Sequence, residues 1–271
     1  MHALGKGALR VLPVLAAGGI LSASGVLSAS IVPQGAHFHH SYSLSPNGHV
    51  VIQNLYGDVT ITAWDRDEVL VEAVKRSSDP RRLDDAQVVV EPSSSGLTIR
   101  TQYASSEVGH LASVEYRITV PRAATLDQVK LINGGLCLSG LAGSVTASAV
   151  NGSIKAEKLG GYADLSTING RLIADFTRIS AANQISLRSV NGPITLSIPS
   201  GAGATLNVRN QSGGIETEFG KAIRGDGGQE LHTRVNRGGA DIRVHNVNGG
   251  ISIHSALGKL STRIPGTEPR V

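Results

Sequence analysis

Three histidines, His37, His39 and His40, lie within four residues of one another near the N-terminus. Imidazole nitrogens bind Zn²⁺, Cu²⁺ and Ni²⁺, so a weak transition-metal site is the chemistry that this spacing permits. In a β-strand, alternation places His37 and His39 on one face and His40 on the other. We therefore interpret the segment as a polar N-terminal strand or linker, and we predict no metal site and no cofactor.

Carboxylates are the second group that could do chemistry, because enzymes that cleave polysaccharides use acids converging on one groove. The chain instead spreads Asp164, Asp175, Asp226 and Asp241 singly. Asp164 and Asp241 each follow an alanine and precede an aliphatic residue, which indicates a repeated structural position. Residues 225–228 have the composition of a calcium-binding glycine-rich repeat, but the motif occurs once. We predict no catalytic residue, and a solenoid-type carbohydrate-active enzyme remains the alternative from another class.

Cys137 is the only cysteine, which excludes an intramolecular disulfide and a thiolate zinc site. Its position between two leucines is typical of a small packing side chain in a strand. The formal net charge is only +4, and the basic residues are scattered, with Arg81-Arg82 as the densest pair. Without aromatic residues among them, nucleic acid is not an expected partner.

Residues 1–30 have the features of a secretory signal: Lys6 and Arg10 precede an apolar stretch that ends in small residues. The apolar stretch approaches the length of a spanning helix, so an uncleaved membrane anchor is the alternative to a cleaved signal. With cleavage, we expect an exported protein of the periplasm or cell surface with no stable membrane insertion.

The composition favours an all-β protein with a thin, regular core. Hydrophobic residues make up 40% of the chain but aromatic residues only 3%, and β-branched side chains favour strands. After a linker or first strand over 31–48, residues 49–125 read as a β-rich, sandwich-like cap region with one helical turn near residues 79–85. The expected strands are His49–Gln53, Asp58–Ala63, Val69–Val74, Val88–Glu91, Leu97–Gln102 and Val114–Val120.

A repeat dominates residues 126–265 and is centred on Asn-Gly pairs. The turn positions are Asn133, Gly134, Asn151, Gly152, Asn169, Gly170, Asn191, Gly192, Asn248 and Gly249, with Ser212-Gly213 at the equivalent place. Successive intervals are 18, 18, 22, 21 and 36 residues. Because the last interval is twice 18, we expect one further coil, without its Asn-Gly, between residues 213 and 247.

Three apolar columns accompany the turns. Three residues after each turn lie Leu136, Ile154, Leu172, Ile194, Ile215 and Ile251, which we predict to form an inward column. One residue before the turns lie Ile132, Val150, Ile168, Val190 and Val247, and four before lie Val129, Ala147, Leu165, Leu187, Val208 and Val244. Alternation on both sides of the turn predicts two strands per coil, each with one face inward.

Asn-Gly between strands is typical either of a type I′ hairpin, with both residues at positive φ, or of a corner between stacked coils. A fixed period favours stacked coils. We therefore predict a right-handed parallel β-solenoid (a single-stranded β-helix) of about six coils, capped by the N-terminal region and followed by a tail over 266–271. Corner asparagines would then hydrogen-bond to one another at a spacing of about 4.8 Å.

Residues 57–71, Val120-Pro121 and the recurring Val-Asn-Gly-Ser-Ile pattern resemble the bacterial putative adhesin family of exported β-strand-repeat domains. The resemblance covers roughly residues 45–265, implies the same fold and brings no catalytic residue, because the family's domain has no assigned chemistry. We expect a non-enzymatic, adhesin-like binding or envelope-scaffolding module whose partner is an unidentified envelope or surface protein or polysaccharide. A self-assembling structural protein is the third hypothesis.

Overall fold

The computed structural model describes residues 37–104, 111–225 and 227–256. The predicted signal (1–30), most of the linker before residue 37, Asp226 and the tail lie outside these residues. The described part is all-β, and its only helical segment is a short 3₁₀ turn, Pro80–Arg82, where the sequence predicts one. Within it, no helix has the length and apolar character needed to cross a bilayer.

The strands of the N-terminal part are β1 (His37–Ser43), β2 (His49–Tyr56), β3 (Val59–Trp64), β4 (Glu68–Arg76), β5 (Ala86–Pro92), β6 (Gly96–Tyr103) and β7 (Ser113–Pro121). The repeat region contributes β8 (Thr125–Asn133), β9 (Leu136–Ser139), β10 (Val145–Asn151), β11 (Ile154–Leu159), β12 (Ala163–Asn169), β13 (Leu172–Phe176), β14 (Gln184–Asn191) and β15 (Ile194–Pro199). The last strands are β16 (Ala204–Ser212), β17 (Ile215–Thr217), β18 (Ile223–Gly225), β19 (Gly228–Val235), β20 (Ala240–Asn248) and β21 (Ile251–Ala256). All six strands expected over residues 49–120 are confirmed.

The strands form two large mixed sheets. The 10-stranded sheet A has the order β1-β4-β7-β3-β9-β11-β13-β15-β21-β17, and the 11-stranded sheet B has the order β18-β19-β16-β20-β14-β12-β10-β8-β2-β6-β5. Buried and exposed residues alternate along most strands, so each sheet turns one face to a shared hydrophobic core. Small aliphatic residues fill this core, and Tyr116 and Phe176 are its largest buried side chains.

We call a strand of sheet B together with the next strand of sheet A a rung. Along the stack the rungs follow one another as β6–β7, β2–β3, β8–β9, β10–β11, β12–β13, β14–β15, β20–β21 and β16–β17. Neighbouring rungs pair in parallel and in register. For example, Asn151 of β10 pairs with Asn133 and Asn169 of its neighbours.

The order of the rungs differs from the order of the chain at both ends. Rung β6–β7 lies outside rung β2–β3, so residues 49–125 contribute rungs to the same stack as the repeat region. At the other end, β20 pairs with both β14 and β16, and β21 pairs with both β15 and β17. The last rung in the chain is therefore inserted between two earlier ones.

The expected coil between residues 213 and 247 is wrong. Between β17 and β20 the chain instead forms β18 and β19, which pair antiparallel with each other in sheet B, and β19 also pairs antiparallel with β16. Antiparallel strands also end the stack on the opposite side, where β4 pairs with β7, β1 with β4, and β5 with β6. These terminal strands pair with the outermost parallel strands at both edges of sheet B and at one edge of sheet A, whereas β17 remains the other edge of sheet A.

Candidate functional site

The Asn-Gly pairs lie where each strand of sheet B passes into sheet A, and they stack in register. Asn133, Asn151, Asn169, Asn191 and Asn248 occupy equivalent positions. Each side-chain amide donates to the next: Asn151 Nδ2 to Asn133 Oδ1 (2.9 Å), Asn169 to Asn151 (2.9 Å), Asn191 to Asn169 (2.9 Å) and Asn248 to Asn191 (3.0 Å). The amide ladder predicted from the sequence is therefore present, although its last step skips the Ser212 rung because that rung lies farther out.

The corner glycines are required by the close approach of the neighbouring rung. A Cβ atom on Gly152 would lie 1.9 Å from the carbonyl oxygen of Gly134, and one on Gly192 would lie 2.0 Å from that of Gly170. None of the ladder asparagines has a positive φ, and Lys158 and Asn236 are the non-glycine residues that do within the described chain. The type I′ interpretation of the turn is therefore wrong, and these pairs are corners between stacked rungs.

Replacing Asn151 with alanine should lower the free energy of unfolding by about 1 kcal/mol, because it removes two side-chain hydrogen bonds at an exposed position. Ser212→Ala is the matched control, since Ser212 has the equivalent register but no side-chain bond to the ladder. Urea unfolding measures both. Equal unfolding midpoints for the two variants would show that the ladder amides bond to water equally well.

The predicted inward residues lie on the inner face of sheet A. Leu136, Ile154, Leu172, Ile194 and Ile251 are each 0% exposed, and each pairs with its equivalent in the adjacent rung. Ile215 is only partly buried because its strand, β17, is the last of sheet A. It pairs with Ile251, whereas chain order would place it against Ile194.

The apolar column that directly precedes the corner lies on the outer face of sheet B. Ile132, Ile168 and Val190 are exposed at 39, 44 and 38%, and Val150 and Val247 are partly exposed. We call these five residues the apolar column. It runs along the stack beside the asparagine ladder, so aliphatic groups and amides form one continuous strip on the surface. Sequence alternation beginning at Val129 would have identified it, since residues at odd spacing from an inward position point outward.

In five rungs a polar residue occupies the inward position two residues before the corner, whereas Leu131 and Ala149 occupy it in β8 and β10. Asn54, Thr167, Ser189, Asn210 and Asn246 are all buried there. Their side chains donate to corner carbonyls, as in Thr167 Oγ1 to Gly152 (2.8 Å) and Asn246 Nδ2 to Gly192 (3.1 Å). Corner carbonyls that point inward are thus satisfied, as buried polar groups require. The sequence analysis missed this column.

Asn54 makes the largest number of hydrogen bonds among these buried polar residues. Its Nδ2 donates to the carbonyls of Val114 (2.8 Å) and Gly57 (2.9 Å), and its Oδ1 accepts from Thr101 (2.9 Å). Thr101 in turn shares a hydrogen bond with the Tyr116 hydroxyl (2.7 Å). Burial raises the pKa of Tyr116 to about 12, so its hydroxyl remains a neutral hydrogen-bonding group at neutral pH. This network is structural and offers no reactive group to solvent.

The carboxylates that could have carried catalysis are held by neighbouring groups. Asp164 accepts from Arg188 Nη2 at 2.7 Å, and Asp241 pairs with Arg243. The predicted equivalence of Asp164 and Asp241 is wrong, because Asp164 aligns with Ser186, whereas Asp241 aligns with Gln184 two residues earlier. Among the described residues, no three His, Cys, Asp or Glu side chains lie close enough to hold a metal ion.

The histidines are dispersed over different surfaces. His37 and His39 lie on one face of β1, whereas His40 lies beside Phe38, with ring centroids 4.8 Å apart. His245 and His254 belong to sheets B and A respectively, so they do not form a pair. Instead His245 lines a cleft with His232 on the outer face of sheet B.

No protein-family model and no curated protein matches the sequence. Solved structures do match the fold. A putative cell adhesion protein from Clostridium sporogenes aligns at 12% identity with a TM-score of 0.50, covering 82% of this chain and 100% of that one. A putative adhesin from Bacteroides fragilis aligns at 12% identity with a TM-score of 0.42, covering 80% and 97%. The resemblance to bacterial adhesin-like proteins that the sequence predicts is thus confirmed at the level of the fold.

Proposed function

We propose that this chain is an exported, non-enzymatic binding module, adhesin-like in function, whose rungs form a right-handed parallel β-solenoid. The observation that carries the proposal is the strip formed by the apolar column and the asparagine ladder. The strip crosses five successive rungs of the stack, β8–β9 to β20–β21, without interruption by a charged side chain at either of its two positions. Its partner would be an envelope or surface ligand.

An exposed row of aliphatic side chains is unfavourable in water unless a partner covers it. Ile168 is 44% exposed, so covering it would contribute on the order of 1 kcal/mol to association, a part of the value for a fully exposed side chain. Asn151, Asn169 and Asn191 each use one donor and one acceptor within the ladder, and the second amide hydrogen of each is available to a ligand. A ligand lying along the strip would therefore find both apolar contact and regularly spaced hydrogen-bonding groups.

Binding fits the arrangement of the acids better than catalysis does. Asp164 and Asp241 each pair with an arginine on their own outer face, and a hydrolase would need two acids facing one bond. The antiparallel strands that end both sides of sheet B and one side of sheet A also oppose end-to-end polymerisation, because they replace an open parallel edge. Export rests on the signal-like residues 1–30, and a scaffolding role in the envelope would use the same strip.

The test is binding of the purified protein to isolated bacterial envelopes, measured by sedimentation over a range of protein concentrations. The double variant Ile168→Ser/Val190→Ser should bind about tenfold more weakly or worse, since it removes two exposed aliphatic contacts. Ile173→Ser is the matched control, because Ile173 is an outward residue of sheet A.

All three proteins should show the same melting temperature, since the substituted side chains point to solvent. Equal binding by the double variant and the control would contradict a role for the strip. Failure of the unaltered protein to bind any envelope fraction would contradict the adhesin-like function itself.

A further inference from the structure

A second surface feature lies near the end of the stack, away from the apolar column. On the outer face of sheet B, strands β16, β18, β19 and β20 enclose a cleft of about 840 Å³. None of the apolar-column residues lines it. The cleft exists because β18 and β19 extend sheet B beyond the last rung, where residues 223–235 form antiparallel strands instead of another coil.

Cationic side chains predominate in this cleft. Arg209, Lys221 and Arg243 line it, together with His232 and His245, and Glu230 is the one carboxylate among the described residues of the lining. Arg209 pairs with Glu230 (3.1 Å). Arg243 pairs with Asp241, which does not itself line the cleft.

Positive charge therefore remains in excess in and around the cleft. Arg234 adds to it, because it lies on the same outward face of β19, two residues from His232. Each paired arginine also retains guanidinium hydrogens for a second acceptor. At the register of Arg209, two middle rungs carry Ser148 and Ser166, and the positions on either side of them carry Lys130 and Arg188, of which Arg188 pairs with Asp164.

The remaining walls are aliphatic. Ile223 is 75% exposed at the margin of the cleft, and no phenylalanine, tyrosine or tryptophan lines it. Recognition of single-stranded nucleic acid depends on aromatic side chains that stack on bases, so this lining does not favour it. Guanidinium groups form paired hydrogen bonds with carboxylate and sulfate oxygens.

We propose that this cleft binds an acidic polysaccharide, with Arg209, Lys221 and Arg243 contacting its carboxylate or sulfate groups. The site is separate from the strip on which the proposed function rests, so it gives the protein a second ligand class. Binding by charge in a solvent-open cleft weakens as ionic strength rises, because salt screens the attraction.

The experiment is isothermal titration of the purified protein with an oligogalacturonate, a sulfated dextran oligomer and neutral dextran of the same length. Binding of at least one anionic chain, no binding of neutral dextran, and weakening by added salt are expected. The carboxylate and sulfate arms identify which acidic group is recognised. Double-stranded and single-stranded DNA of similar charge should bind more weakly than the preferred glycan.

Arg209→Gln and Lys221→Gln should each weaken glycan binding by about tenfold, the loss expected for one charge-assisted contact. Arg117→Gln removes the same charge from an exposed position on sheet A and should leave binding unchanged. Ile168→Ser should also leave it unchanged, which separates this site from the strip. The proposal is overturned if no anionic glycan binds, if DNA binds as tightly, or if the cleft variants bind like Arg117→Gln.

Discussion

Gly152→Ala is expected to destabilise the protein by about 3 kcal/mol or more, an unusually large effect for adding one methyl group. The new Cβ atom would lie 1.9 Å from the carbonyl oxygen of Gly134 and 2.7 Å from its carbonyl carbon. Both atoms belong to the backbone of the next rung, so no side chain can move aside. Relief requires separating two rungs that are joined at this corner by the hydrogen bond from Gly134 N to Asn151 O (3.1 Å).

Gly250→Ala is the control for this variant. Gly250 lies one residue after the corner glycine of its own rung, and a Cβ atom there meets nothing within 4 Å. Its unfolding free energy should stay within about 0.5 kcal/mol of the unaltered protein. Chemical denaturation followed by circular dichroism measures both. Similar stabilities for the two variants would mean that the corners are not closely stacked.

Ile154→Ala is expected to lower the free energy of unfolding by about 2–5 kcal/mol through lost apolar burial and an unfilled cavity. Ile154 is 0% exposed and lies between Leu136 and Leu172 of the two adjacent rungs. These neighbours are fixed by parallel strand pairing on both sides, so the surrounding backbone has little freedom to collapse into the space.

Lys155 is the matched control because it is the next residue of the same strand and points outward. Its side chain is half exposed and pairs with Glu157 at 2.9 Å. That hydrogen bond raises the pKa of Lys155, but solvent screens the pair. Lys155→Ala should leave the urea midpoint within experimental error. Equal losses for the two variants would show that this column does not face the core.

The sequence predicted the corners because they repeat with a nearly constant period. Every rung must return to the same place after two strands, so Asn133, Asn151 and Asn169 recur at intervals of 18 residues. The amide ladder follows from that period and from the spacing of paired strands, about 4.8 Å. Local patterns were sufficient for these features because each involves only adjacent rungs.

The order of the rungs could not be predicted from the same patterns. The inner faces of β14–β15, β16–β17 and β20–β21 carry similar aliphatic residues, so any of these rungs fits against another. The doubled interval before Asn248 was interpreted as an additional coil without its Asn-Gly pair. An antiparallel hairpin of similar length has no sequence pattern that distinguishes it from such a coil. β19 pairs antiparallel with the outer edge of β16, and the chain then runs back to the opposite edge of β16. Because this pairing joins segments that are distant in the sequence, local patterns do not predict it.

The faces of the two columns beside the corner were not assigned from the sequence. Ile168 points to solvent although it is apolar, and its polar neighbour Thr167 points into the core. Period-two alternation determines which face a side chain occupies, even where hydrophobicity opposes it. Thr167 is tolerated inside because a corner carbonyl accepts its hydroxyl hydrogen (2.8 Å).

The insertion of β20–β21 between β14–β15 and β16–β17 constrains the time course of folding in a chain that emerges N-terminus first. A stack that grew only at its end could add each rung as it appeared. Here the final neighbour of β14 and β15 is the last segment to arrive, so β16–β17 must be held apart or must shift outward by one strand spacing, about 4.8 Å. The stack can therefore close only after residues 240–256 have emerged. A chain arrested earlier would expose unpaired strand edges to solvent.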